Sequence, residues 1–330
     1  MSSKLTSAEI GKLWATYMGN NMACRILPYF LQNVDDRDIR SVLVEGLRVA
    51  EWATQIVADL FDREGYPLPA GFSEQDVNMG APRLFDDEFY PHYLKYTGKA
   101  GLSVYGIAIP LVSRPDVRDF FTDLLVATIK LMNDVNQLLE EKGYLIKPPL
   151  IPTPKTIDFV EKQSFMNGFF GDVRPLQALE ITHIYDNVEN NAISSAILTG
   201  FCQSAKIEQV RHYFQRGKGI ASKHIVVLNK VLQKDDLPSH PSLDHLVTDS
   251  TFSPFSDKIM LFHKIDMFMV RIRSYGNALS FSARHDLAMI FARFMAEVGN
   301  YVEDGANTMI DFGWMEQPPQ AADREALSSK

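Results

Sequence analysis

The stretch Gly143-Tyr144-Leu145-Ile146-Lys147-Pro148-Pro149 returns later in the chain as Gly313-Trp314-Met315-Glu316-Gln317-Pro318-Pro319. In both copies a glycine follows a long helical pattern, an aromatic residue follows the glycine, and a proline pair forbids further helix. The separation is 313 − 143 = 170, and sliding the chain on itself by 170 or 171 brings most of the remainder into register. Leu176 to Gln203 falls on Leu5 to Gln32 without a gap, placing Glu180 on Glu9, Asn191 on Asn20 and Phe201 on Phe30. Further on, Arg211 falls on Arg40, Gly217 on Gly46, and Arg284-His285-Asp286 on Arg114-Pro115-Asp116. A tandem duplication is a strong constraint, because both halves must fold alike. The 330 residues also suit two domains of roughly 150 residues each.

Each half reads as four helices. Thr6-Ser7-Ala8-Glu9 is a capping-box pattern, so the first helix starts near Ser7. Its apolar stripe runs through Ile10, Leu13, Trp14, Tyr17, Cys24, Leu27 and Leu31, with Pro28 expected to kink it. Asp35-Asp36 caps a second helix, which folds back as a short-looped hairpin. From Gly65 to Asp86 the prolines and glycines stop any helix, and about 20 extended residues can span a helix of ~40 Å. A third helix over Asp87 to Val112 and a fourth ending at Lys142 complete the half. The second half repeats this, with its crossover at Asp236 to Pro254 and its last helices at Ser256 to Phe281 and Arg284 to Phe312. The expected fold is all-α, two tandem ferritin-like four-helix bundles, with plain up-down-up-down bundles as the alternative topology. The expected divisions are 1–149 for the first bundle, 150–175 for a linker docked through its four phenylalanines, 176–319 for the second bundle, and 320–330 for a flexible tail.

Charge and composition narrow the function classes. A net charge of −8 argues against nucleic acid or an anionic membrane as the main partner. No apolar run approaches the ~18 residues of a membrane span, and no basic hydrophobic leader is expected before Leu5. Cys24 and Cys202 do not align with each other under the repeat, so they are expected to be two buried thiols in a reducing, cytoplasmic setting.

Several segments carry a resemblance. They are Leu5-Thr6-Ser7-Ala8-Glu9-Ile10, Gln75-Asp76-Val77-Asn78, Ala81-Pro82-Arg83-Leu84-Phe85, Glu180-Ile181-Thr182-His183, Thr248-Asp249-Ser250-Thr251, Glu303-Asp304-Gly305-Ala306-Asn307 and Glu316-Gln317-Pro318-Pro319-Gln320-Ala321-Ala322-Asp323. Together they resemble an uncharacterised family of spore-forming bacteria built of tandem ferritin-like bundles, some of whose members carry a provisional spore-coat label. The resemblance spans nearly the whole chain. It implies the fold and a lean toward spore association, and brings no activity and no catalytic residues.

Ferritin-like bundles often hold two irons between carboxylates and Glu-x-x-His motifs on facing helices. That constellation is incomplete here. Glu180-Ile181-Thr182-His183 is the one such motif on a bundle helix, and its counterpart is Glu9-Ile10-Gly11-Lys12. Asn20 and Asn191 stand where a bridging carboxylate would be wanted, and an amide is a poor iron ligand. A reduced site in the second bundle would draw on His183, Asn187, His224 and Glu297, taking iron, manganese or zinc. The expectation is no cofactor, and a non-enzymatic structural or interaction protein. The rivals are a metal-dependent oxidoreductase confined to the second bundle, and a bundle that holds a small apolar ligand among Trp14, Tyr17, Trp52, Tyr93 and Tyr96.

The stretch Ile259 to Val270 is apolar nearly all round, whereas a bundle helix needs one stripe. This helix is therefore expected at the contact between the two bundles, burying Met260, Phe268 and Met269, with a homodimer as the second choice.

Overall fold

A computed structural model describes residues 4–171 and 173–328. Among them run α1 (Ser7–Asn33), α2 (Arg37–Glu64), α3 (Phe89–Ala108), α4 (Pro115–Glu141), α5 (Ala178–Ser204), α6 (Glu208–Gln233), α7 (Asp257–Phe281) and α8 (His285–Asp311). A short α9 (Arg324–Ser328) lies in the segment expected to be a flexible tail. Thr6 and Glu9 form the capping box of α1, and the Asp36 carboxylate caps α2. α1 continues through Pro28 to Asn33. Gly143 and Gly313 hold φ of 73° and 66°, the left-handed conformation that closes a helix at little steric cost. In both copies the next residue donates back into the helix, Tyr144 to Leu139 and Trp314 to Met309, each at 2.8 Å.

Hydrogen bonds at the helix ends settle the connectivity. The Asp87 carboxylate, just before α3, accepts from the amides of Asp35 and Asp36 at the α1–α2 turn. Lys142, at the end of α4, pairs with Asp36 and Asp38 at 2.7 Å each. α2 and α3 therefore start at one end of the bundle. At the opposite end Glu9 holds the α3–α4 turn, and Arg114 reaches Glu64 at the end of α2. The segment between α2 and α3 must then run the length of the bundle, which rules out the plain up-down-up-down alternative. The second half is built alike: Asp257 accepts from Lys206 and Ile207, and Glu180 accepts from the Arg284 amide.

The two crossovers pair with each other. Val77 bridges Phe255 and Phe85 bridges Val247, both antiparallel. The Asp86 amide donates to Leu246 O at 2.9 Å, and Ser256 to Asp76 O at 2.8 Å. Asn78 donates to Pro254 O at 2.8 Å, and Thr248 to Leu84 O at 3.0 Å. A shift of 170 turns the Val77 bridge into the Phe85 bridge, the Asp86 bond into the Ser256 bond and the Asn78 bond into the Thr248 bond, so the bundles are related by a pseudo-two-fold axis, the arrangement of an isologous dimer written in one chain. Tyr93 and His263, themselves equivalents, meet across it with Oη and Nε2 3.1 Å apart.

α7 lies at this contact, as expected from its sequence. Phe262 packs on Phe72 and the Lys258 ammonium donates to Gly71 O. The burial differs in detail from the expectation. Met260 and Phe268 are fully buried, Phe268 against Tyr301 of its own bundle, while Met269 stays 41% exposed.

The linker needs a larger correction. Docking is confined to its second part: Phe165 is half-buried under the Arg174 guanidinium, and Gly168 fits closely against Asp286. Leu150, Ile157, Phe159 and Phe170 are exposed. Counting phenylalanines overstated the docking, because a segment with no helical stripe cannot present them all to one surface.

Candidate functional site

Two regions offer polar groups inside the bundles. The first is the core of the second bundle. His224 is fully buried on α6, stacked on Phe294 at 3.6 Å between ring centroids. The Tyr275 hydroxyl lies 2.7 Å from its Nδ1, and Glu297 Oε2 lies 3.2 Å from its Nε2. Burial pushes its pKa down to about 4, so the ring is neutral at pH 7, with Nε2–H donating to Glu297 and Nδ1 accepting from Tyr275. The chain continues as Asn191 Nδ2 donates to the Tyr275 hydroxyl at 2.9 Å.

Of the residues expected to share a metal, the structure brings together His224 and Glu297. His183 lies aside, stacked on Phe281, and the Asn187 amide donates to the His183 carbonyl and accepts from Ser274. These residues do not fit a metal ion as arranged: both His224 nitrogens are engaged, and Glu297 is also paired with Lys223 at 2.7 Å. Among the described residues no three His, Cys, Asp or Glu side chains converge.

The second region is a cavity of about 510 Å³ inside the first bundle, lined from all four of its helices and from α7 of the other. Its walls are mainly apolar, including Leu27, Val49, Leu94, Val104 and Leu131. The cause is residue size. Gly101 and Leu131 line the space where the second bundle places Arg271 and Tyr301, both nearly fully buried, whereas at Gly98, opposite Phe268, the Met132 side chain takes up the position a Cβ would need. Of the five aromatics expected to hold a ligand, Tyr93 lines the cavity. Trp52 packs on Phe120, and the Tyr96 hydroxyl accepts from Arg271 across the bundle contact.

Polar groups also reach this cavity, among them the charged side chains of Lys12, Asp266 and Arg273. Asn20 repeats the role of Asn191: its Nδ2 donates to Thr16 O at 2.8 Å and to the Tyr105 hydroxyl at 3.0 Å. Asp266 reaches in from α7, half-buried, with no hydrogen bond or ion pair to the described residues. Burial pushes its pKa up to about 6, against the pull of Arg273. Lys12 also lines the cavity, its pKa lowered by burial and then by Arg273.

The bundle contact differs on its two sides. Beside the second bundle, Lys95 and Lys99 of α3 pair with Glu189, and Lys99 also with Asp186 at 2.8 Å. The equivalents beside the first bundle are Ile265, Met269, Met18 and Ala15, with Met269 and Ala15 on the cavity wall. Asp266, Arg271 and Gly101 escaped the reading of the sequence, which looked for what the halves share. A position-by-position search for differences would have found them, since Gly101 faces Arg271 and Tyr96 faces Asp266 under the same shift.

A family model described as "Protein of unknown function (DUF3231)" matches the chain twice, over residues 1–157 and 164–327. No curated protein matches. Among solved structures, a Bacillus halodurans protein described as a "putative spore coat protein" is similar at 22% identity and a TM-score of 0.41, over 46% of this chain and 98% of that one.

Proposed function

Since the chain belongs to the DUF3231 family of proteins of unknown function, we propose its role from its geometry: a binding module that holds a small, largely apolar molecule inside the first bundle. The observation that carries this reading is the cavity of about 510 Å³, within the ~300–1,000 Å³ range of small-molecule sites. Apolar walls supply affinity, and a few polar groups orient the guest. The second bundle, with the same frame and a filled core, serves as its support and lends α7 as one wall.

Hexanol is a fitting neutral probe, followed by calorimetry and by the shift in melting temperature. Binding is expected for the native chain and a loss of at least about tenfold for Leu131→Phe, which occupies part of the space. No binding at millimolar concentration of hexanol or of its charged six-carbon analogues to the native chain overturns the reading.

A structural or interaction role is the second reading, supported by the exposed apolar residues Leu150, Ile157, Phe159 and Phe170 of the linker. Association with the spore, implied by the resemblance, is tested by following a fluorescent fusion through sporulation. The metal-dependent rival requires His224 and Glu297 to leave their present partners. Stoichiometric metal in protein purified without chelators would favour it.

A further inference from the structure

The two bundles supply an internal control for what the cavity receives. In the second bundle the place is taken by Arg271, whose guanidinium is buried without a carboxylate. It donates to Asn191 Oδ1 at 3.0 Å, to the Asn190 carbonyl at 3.2 Å, and to the Tyr96 hydroxyl of the other bundle at 3.4 Å. Its ring neighbour is Phe268, 4.3 Å from the guanidinium carbon. Under the repeat, Arg271 becomes Gly101, while the three acceptors become Asn20, Gly19 and Asp266. All four line the cavity.

The first bundle therefore keeps the receiver and lacks the cation. Asn20 is 9% exposed and held in place by the same amide contacts as Asn191, one to the carbonyl four residues earlier and one to a tyrosine hydroxyl. Its Oδ1, which in Asn191 accepts from Arg271, accepts nothing from the described residues. The counterpart of the third acceptor is a carboxylate, Asp266, where the second bundle meets a neutral phenol, and a carboxylate strengthens a hydrogen bond from a cation. Compared with the second bundle, the first has no side chain at the plug position and a stronger acceptor beside it.

We propose that the first bundle binds an organic cation, a guanidinium or primary ammonium head on a short alkyl body. The head sits between Asn20 Oδ1, the Gly19 carbonyl and the Asp266 carboxylate. The alkyl body lies along the apolar walls, as the stem of Arg271 lies in the second bundle. Lys12 and Arg273 line the same cavity and oppose every added positive charge, an opposition that grows with the charge of the guest, so a monocation fits better than a polyamine.

This rests on the reading of the cavity as a ligand site, and the test separates the two. Hexylamine, hexylguanidine, hexanol and hexanoate are titrated into the full chain at pH 7.5 by calorimetry. The two cations are expected to bind at least about tenfold more tightly than hexanol, a preference that falls to within about threefold in Asp266→Asn. Gly101→Arg, which supplies the plug internally, is expected to abolish binding of all four. A Cβ at 101 would approach the Tyr105 ring to 2.9 Å, so that variant needs Tyr105 to shift, and the Asp266→Asn arm stands without it. Hexanol binding with no preference for the cations, a preference for hexanoate, or a cation preference unchanged in Asp266→Asn overturns the cation assignment and leaves the cavity reading intact. Failure of every probe overturns both.

Discussion

The two bundles share a frame and differ in what fills it. At the helix ends the same devices recur: Glu9 and Glu180 on the third turn of each half, Asp87 and Asp257 on the first. In the middle the volumes part, with Gly101 and Leu131 against Arg271 and Tyr301. The lesson is that helices pinned at their ends can keep their spacing over a partly empty core. A cavity of this kind ordinarily costs stability in proportion to its volume. The end contacts, the paired crossovers and the neighbouring α7 hold the walls apart.

The most direct way to break the contrast is to give the second bundle the residue of the first. Arg271→Gly empties the core and leaves the Asn191 and Asn190 oxygens without their donor, and is expected to cost about 4 kcal/mol in urea denaturation. A loss below about 1 kcal/mol would mean that the plug does not support the second bundle.

The shared frame is tested next. Glu9 accepts from the Thr6, Ser113 and Arg114 amides and from the Thr6 and Ser113 hydroxyls. Burial opposes its charge, but these donors outweigh it and hold its pKa down at about 2. Glu180 replaces two of the hydroxyl contacts with the Arg174 fork, at 2.8 Å to each oxygen. Glu9→Ala and Glu180→Ala are each expected to cost about 3 kcal/mol by the same measurement, because each leaves several buried donors unmatched. A large loss in one half alone would show that the frames are not equivalent.

Acid distinguishes the halves more gently. His224, whose counterpart is Ala53, has a folded pKa of about 4 against the ordinary value of 6.5. The unfolded chain therefore binds a proton in that window before the folded chain does, and stability is present above pH 6.5 and lost as pH falls toward 4. About 2 kcal/mol of acid lability is expected from this group, removed by His224→Phe, in melting curves taken between pH 7 and pH 4.5. An unchanged pH profile in the variant would place the lability in His92, His240 or His263, which burial also lowers.

The smallest change makes one position of the first bundle's wall apolar, as it is in the second bundle. Thr128→Val installs the counterpart of Val298 on the cavity wall and removes a hydroxyl that bonds back to Leu124 O at 2.7 Å. A gain of about 0.5–1 kcal/mol is expected, with weaker uptake of hexanol. A loss of stability would show that the hydroxyl bond to Leu124 O supports the helix here.

The sequence by itself determined the eight helices, their caps, the duplication and the two crossovers, since these rest on local rules: period, capping residues, and glycine and proline at the ends. It also pointed correctly to α7 as the contact between bundles, because an all-round apolar helix must be covered. It misjudged the linker, and it joined His183 and Asn187 to a site whose side chains point elsewhere. Height along a helix can be counted from a turn, but the direction of a side chain within a core depends on what its neighbours leave open. The cavity belongs to the same class. It arises from small residues at scattered positions on the first three helices, each unremarked alone, from Leu131 on the fourth where the second bundle has a tyrosine, and from Asp266 arriving across the pseudo-two-fold axis. Only the tertiary structure brings those positions to one volume, because empty space is a property of what surrounds it and no local rule encodes it.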